Sequence, residues 1–62
     1  MGIKNLRKSK KLTLQALSDA SGVPLRTIQK FEGGEANVEN MRLGTAIALA
    51  DALGINDLRE LL

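Results

Sequence analysis

Residues 12–34 read LTLQALSDASGVPLRTIQKFEGG and predict two short helices joined by a tight turn. Thr13 has the side chain of a helix N-cap, so the first of these helices should begin at the next residue. Gly22 permits the left-handed backbone conformation that ends many helices, and we expect the turn there. Pro24 suits the first position of a helix, because its missing N–H would be unpaired at that place. We therefore predict the second helix over 24–32, ended by the two glycines that follow.

The spacing of small and apolar residues in this segment indicates a helix-turn-helix arrangement. Ser18 is small where the two helices should cross closely, and the turn glycine removes a clash with a Cβ. The apolar residues that would join the pair to a core are Leu17, Val23, Ile28 and Phe31. An ordinary helical hairpin in a small bundle is the alternative interpretation.

The segments on either side also show helical patterns. Ile3 and Leu6 are three residues apart and share one face of a first short helix. Residues 41–53 are rich in leucine and alanine and predict a longer helix. Its inward residues at helical spacing are Leu43, Ala46, Ile47, Ala50 and Leu53.

The end of the chain predicts one more helix. Asn56 is placed to cap a last helix over 57–61. With residues 35–40 as a loop, the sequence predicts an all-α protein of five helices. There is no repeat and no long linker, so we expect a single domain over residues 1–62.

The charge of the chain is divided between its two halves. Residues 1–30 carry seven basic residues and one acidic residue, whereas residues 31–62 carry two basic and six acidic ones. The overall net charge of +2 hides this asymmetry. A basic pole favours a polyanionic partner, and a solvated basic helix face with no partner is the alternative.

The composition excludes several classes of site. The chain has no cysteine and no histidine, so it lacks disulfides and the commonest zinc ligands, general base and thiol nucleophile. We expect no enzyme activity, no cofactor and no metal. No apolar run approaches the roughly 20 residues of a membrane span, and no secretory signal is visible. These features predict a cytoplasmic protein with no membrane partner.

The segment 12–34 and the segment 40–62, NMRLGTAIALADALGINDLRELL, together resemble the phage repressor and Cro type of helix-turn-helix domain, the XRE family. The resemblance covers nearly all of residues 3–62. It implies a five-helix, lambda-repressor-like DNA-binding domain whose second and third helices form the helix-turn-helix. The third helix would enter the major groove of double-stranded DNA. The function implied is that of a sequence-specific transcriptional regulator, a bacterial or phage repressor that occupies an operator.

Four side chains of the third helix are predicted to contact bases. A helical wheel over 24–33 places Arg26 and Gln29 opposite the apolar residues, with Leu25 and Lys30 flanking them. Arg26 suits guanine O6 and N7, and Gln29 suits adenine N6 and N7. Lys30 can reach guanine or a phosphate, and Leu25 can contact a thymine methyl group. The alternative is a solvated helix surface, or partial core packing for Leu25.

Contacts to the DNA backbone are expected near the start of the second helix, where the resemblance places phosphate contacts. The residues expected to make backbone contacts are Lys10, Lys11, Thr13, Gln15 and Asn37. They would position the protein without reading sequence. The resemblance also implies an ion pair between Arg7 on the first helix and Glu32 at the end of the third, which would anchor the third helix on the core.

Two features depart from the family's pattern. Leu14 stands where the family commonly has a glutamine, so a polar contact is absent there. Glu35 and Glu39 lie in the loop after the third helix, where phage members often have basic residues that contact phosphate. Acidic residues near the DNA backbone predict operator binding that is weaker, more salt-sensitive or dependent on a dimer partner.

A homodimer is expected on DNA, because family members usually bind as two-fold dimers with half-sites about 34 Å apart. Leu58, Leu61 and Leu62 are the candidate dimer surface, and closure of the core is their alternative role. A different class of function also stays open. It is a protein-interaction module of the same fold, the partner of another regulator or of a toxin, with weak or no DNA binding. The chain can also be the N-terminal segment of a longer regulator.

Overall fold

The computed structural model describes residues 2–62, and this part of the chain is all-helical, as the sequence predicts. Its elements are α1 (Ile3–Ser9), α2 (Leu14–Ser21), α3 (Leu25–Glu32), a 3-10 helix (Val38–Asn40), α4 (Leu43–Leu53) and a C-terminal 3-10 helix (Leu58–Leu61). The prediction of five α-helices is not confirmed, because the last segment forms a 3-10 turn. Met1, which belongs to the predicted domain range, lies outside the described residues.

The C-terminal 3-10 helix differs from the predicted last helix in its cap and its hydrogen bonds. Asp57, not Asn56, is the cap, and its Oδ1 accepts a hydrogen bond from the backbone N–H of Arg59 at 3.0 Å. The Arg59 guanidinium also donates to this carboxylate at 2.8 Å. The side-chain and backbone hydrogen bonds from Arg59 hold the pKa of Asp57 below its usual range. Backbone N–H groups in the turn bond to carbonyls three residues back, which is the 3-10 pattern.

The α2–turn–α3 segment forms as predicted, and its hydrogen bonds explain why. Thr13 caps α2, since its hydroxyl oxygen accepts a hydrogen bond from the backbone N–H of Ala16 at 3.0 Å. Gly22 has a φ of 76°, a conformation that residues with a Cβ disfavour. Ser18 donates a hydrogen bond from Oγ to the carbonyl oxygen of Val23 at 2.6 Å, which joins α2 to the chain beyond the turn. Ser18 therefore contributes its hydroxyl as well as its small size.

Pro24 is the residue before α3, not the first residue of the helix as predicted. Its ψ of 138° is extended, so it is the N-cap of α3, and Leu25 is the first helical residue. Its carbonyl oxygen accepts the hydrogen bond from the N–H of Ile28 at 3.2 Å, as the carbonyl of a cap residue does.

The core lies between the four α-helices and the C-terminal 3-10 helix. α2 packs on α3 and α4, while α1 contacts α3 and the C-terminal 3-10 helix. The buried apolar residues are Ile3, Leu6, Leu17, Val23, Ile28, Leu49, Ala50, Leu53 and Leu61. Their burial provides the main driving force for folding.

The inner face of α4 differs from the predicted one. Leu43 and Ile47 are 66% and 45% exposed, whereas Leu49, outside the predicted face, is fully buried. The helix is apolar nearly all round, so its periodicity does not determine which side packs inward. It also begins at Leu43 rather than two residues earlier, because Met41 and Arg42 have extended backbones after the 3-10 turn.

The leucines at the end of the chain divide between core and surface. Leu61 is only 2% exposed, so its predicted place on a dimer surface is wrong. The C-terminal 3-10 helix packs against α1 and α4, and this packing encloses the Leu61 side chain. Leu58 and Leu62 are 36% and 64% exposed and stay on the surface.

Candidate nucleic-acid interface

α3 has one exposed polar face and one buried apolar face. Arg26, Gln29 and Lys30 are exposed, while Ile28 is fully buried on the other side. Leu25 is half-buried, so it combines partial core packing with some accessible surface. A surface groove of about 520 Å³ follows the polar face, and we call it the α3 groove. Its lining residues are Arg26, Gln29, Lys30, Gly33 and Glu35.

Arg7 and Glu32 form an ion pair that fastens α3 to α1. Nε and Nη2 of Arg7 donate to the two carboxylate oxygens of Glu32 at 2.8 and 3.0 Å, a bidentate geometry. The side chains are only 12% and 8% exposed, and Nη1 of Arg7 also donates to the carbonyl oxygen of Leu12 at 2.8 Å. The hydrogen bond to Glu32 raises the pKa of the Arg7 guanidinium against the opposing effect of burial. Both side chains therefore hold the orientation of α3.

The residues predicted to contact the DNA backbone have different roles within the protein. The Thr13 hydroxyl caps α2. Gln15 donates a hydrogen bond from Nε2 to the Asp19 carboxylate at 3.0 Å on the exposed side of α2. Asn37 accepts a hydrogen bond on Oδ1 from the N–H of Glu39 at 3.0 Å. The amide nitrogen of Asn37 is then the group that it can offer to a phosphate.

Lys10 and Lys11 are neighbours in sequence but differ in their surroundings. A Cβ added at Gly54 would lie 3.4 Å from Nζ of Lys10, so this ammonium group lies over the C-terminal end of α4. That end of a helix carries a partial negative charge. Lys11 has a φ of 57° and takes the left-handed position that closes α1, where glycine is the usual residue. The α4 terminus therefore attracts the Lys10 ammonium, which makes Lys11 the stronger candidate of the two lysines for a phosphate contact.

α2 and α3 form a short helix pair, in which α3 is joined to α1 by an ion pair and has an exposed polar face. A family model described as Helix-turn-helix matches residues 3–61. The chain belongs to the helix-turn-helix family. This confirms the resemblance to the repressor and Cro type, and the family is one of DNA-binding regulators. Neither a curated protein nor a solved structure matches the chain.

Within residues 2–62, His, Cys, Asp and Glu form no group of three or more that could hold a metal ion. Of the helices in this described part, none has the length and apolar character of a membrane span.

A second cleft of this helix-turn-helix protein lies between α3 and the start of α4. Arg42 and Asn40 line it together with Thr27 of α3. Arg42 is the exposed N-cap residue of α4, and no side chain caps the first N–H groups of that helix. Arg42 is not among the predicted contact residues, because the predicted helix over 41–53 includes it. The feature of Arg42 that the sequence does show is its charge, since it is one of only two basic residues in the acidic half of the chain.

The loop after α3 brings Glu35 back to the α3 groove. Gly34 has a φ of 83°, and the N–H of Ala36 donates to the carbonyl oxygen of Lys30 at 3.1 Å. The loop is thus tied to the last turn of α3 with Glu35 beside the groove. Neither of the ion pairs found in residues 2–62 includes Glu35, so an exposed carboxylate adjoins the basic face.

Proposed function

We propose that this chain is a sequence-specific regulator of transcription, a repressor, that inserts α3 into the major groove of an operator. The observation that carries the proposal is the exposed α3 groove, lined by Arg26, Gln29 and Lys30, on a helix whose other face is buried. Major-groove recognition needs donors and acceptors on a helix held at a fixed angle. The Arg7–Glu32 ion pair supports that requirement, because it fastens the end of α3 to α1.

The proposed base contacts follow the chemistry of the side chains in the groove. Arg26 has the planar donor group that pairs with guanine O6 and N7. Gln29 offers one donor and one acceptor, which suits adenine N6 and N7. Lys30 donates to guanine or to a nearby phosphate, and the accessible part of Leu25 contacts a thymine methyl group.

The proposed backbone contacts lie on both sides of α3. Lys11, Thr13 and Gln15 come from the start of α2, and Asn37 comes from the loop. We add Arg42, because it lines a cleft with Thr27 of α3. We propose no phosphate contact for Lys10, because its ammonium lies over the C-terminal end of α4. Arg42 lies at the other end of this 11-residue helix, about 16 Å away. In the cell the protein would act in the bacterial cytoplasm, at the nucleoid.

Selection from a randomised duplex pool at two salt concentrations tests the proposal. The wild-type protein should select a defined motif, and Arg26→Ala should lose preference at one base position, a change of about 1–3 kcal/mol in discrimination. Arg59→Ala is the matched control, since it removes the same charge from an exposed arginine that pairs with Asp57 and lies outside the groove. This control should select the wild-type motif.

Two results would contradict the proposal. The first is a wild-type affinity no tighter than the nonspecific range, about 10⁻⁴ to 10⁻⁶ M, at both salt concentrations. That result would favour the protein-interaction module, for which the exposed Leu43 and Ile47 of α4 would be the first surface to examine. The second is an identical loss of preference in the Arg26 and Arg59 variants, because a general charge effect would explain it.

A further inference from the structure

We infer that Glu35 is a specificity-determining residue, which accepts a hydrogen bond from the exocyclic amino group of a cytosine in the bound operator. The inference rests on the proposed function, and it assigns a role to a residue that the sequence analysis treated as a hindrance to binding. The observation behind it is that Glu35 lines the same groove as Arg26, Gln29 and Lys30.

The position of Glu35 is built into the fold rather than left to a free loop. Gly34 in the left-handed conformation reverses the chain directly after α3. The hydrogen bond from the N–H of Ala36 to the carbonyl oxygen of Lys30 then ties the returning segment to the helix. A carboxylate held in this way moves with α3 when the helix docks.

The chemistry of the groove makes an acceptor useful at this place. Arg26 and Lys30 can only donate hydrogen bonds, so they recognise guanine O6 and N7 but give no favourable contact to cytosine N4. An ionised glutamate can only accept, and cytosine N4 is a donor in the major groove. The donors and the carboxylate in one groove would therefore distinguish a G·C pair from a C·G pair.

The charge of Glu35 also favours a contact with a base rather than with a phosphate. The carboxylate is exposed and belongs to neither ion pair of residues 2–62, so it is not neutralised by Arg26 or Lys30. Against a phosphate it would only weaken binding to every sequence alike. Against base edges it attracts the amino groups of cytosine and adenine and repels the acceptors of guanine, adenine and thymine. Cytosine is the one base whose major-groove edge offers a donor and no acceptor, so the carboxylate favours cytosine.

The test compares Glu35→Ala with Glu39→Ala in the full chain. Glu39 is an exposed carboxylate in the 3-10 helix that follows the loop, and it does not line the α3 groove. The two variants therefore change the net charge equally. The motif selected by the wild type is determined first. Affinities are then measured for that duplex and for duplexes in which each C·G pair is replaced by T·A.

We expect one cytosine that the wild type prefers over thymine by about 5- to 150-fold, the range of a good base contact. Glu35→Ala should lose this preference at that position alone, and Glu39→Ala should keep it. Glu35→Gln should keep part of it, because the amide oxygen also accepts a hydrogen bond.

The inference is overturned if Glu35→Ala keeps every base preference of the wild type. It is also overturned if Glu35→Ala and Glu39→Ala raise the affinity for all duplexes by the same factor, because Glu35 would then act only by repelling phosphates. A wild-type protein that selects no motif would instead refute the proposed function, and the inference with it. That third result differs visibly from the first two, in which the wild-type motif is present.

Discussion

Lys11 holds a backbone conformation that favours glycine, and the strain can be relieved. Its φ of 57° lies in the left-handed region, which disfavours residues with a Cβ by about 1–2 kcal/mol. Glycine would remove this strain but has more freedom in the unfolded chain, which offsets about 0.5–1 kcal/mol. We therefore expect Lys11→Gly to raise the free energy of unfolding by about 0.5–1 kcal/mol, measured by urea denaturation. We also expect it to weaken DNA binding and to reduce the salt slope by about one unit, because one phosphate contact is lost.

The Lys11→Asn variant distinguishes the effect of backbone strain on stability from the effect of the lysine charge on DNA binding. Asparagine tolerates the left-handed conformation better than lysine does, so Lys11→Asn should gain less stability than glycine but lose the same affinity. Lys10→Asn is the matched control for the charge, and its salt slope should equal that of the wild type. A normal salt slope for both Lys11 variants would show that this residue does not contact phosphate.

Sequence reasoning succeeded at residues whose role depends on their immediate neighbours. The cap at Thr13 and the turn at Gly22 depend on the chain within a few residues, so a local pattern predicts both. Lys10 and Arg42 show where this reasoning stops. Lys10 lies over Gly54, and Arg42 lines a cleft with α3, so their places depend on segments far away in sequence.

At the scale of elements, two serines of α2 form hydrogen bonds with Val23 beyond the turn, and Ser21 Oγ accepts the one from the N–H of Val23 at 3.1 Å. Ser18 Oγ donates to the carbonyl oxygen of Val23 at 2.6 Å, and Ser18→Ala would leave that oxygen without this donor. We expect a loss of about 1 kcal/mol in the free energy of unfolding, measured by urea denaturation. Operator affinity should also fall, because α3 is held less firmly against α2.

Ser9→Ala is the control for this substitution, because Ser9 is an exposed serine at the end of α1. Alanine has the higher helix propensity, so this variant should be as stable as the wild type or slightly more stable. Equal stability of the Ser18 and Ser9 variants would mean that the hydrogen bond across the turn contributes nothing measurable.

The sequence predicts the helices less well where one pattern is compatible with two structures. The leucine and alanine residues of α4 surround the helix, so the sequence did not reveal that Leu49 packs inward and that Leu43 and Ile47 face solvent. The last segment has an apolar spacing that suits either kind of helix. The hydrogen bonds between Asp57 and Arg59 accompany a 3-10 turn there.

At the scale of the whole molecule, the dimensions suit binding in pairs. The Cα atoms span 25 × 24 × 19 Å, and side chains add several ångströms on each side. Two copies side by side would therefore have their centres at a separation comparable with one turn of DNA, about 34 Å. The exposed apolar residues that could join two copies are Leu43, Ile47, Leu58 and Leu62.

We predict that the two copies meet through the C-terminal tail, where Leu62 is 64% exposed. Leu62→Gln removes apolar surface without opening the core, so the fold should stay intact. Binding to a duplex with two half-sites should lose cooperativity, while binding to one half-site should not change. Leu43→Gln is the matched control, because Leu43 is an equally exposed leucine, at 66%, on a different element. Sedimentation of both variants with the two-half-site duplex measures the stoichiometry, and loss of the 2:1 complex in the Leu43 variant alone would move the interface from the tail to α4.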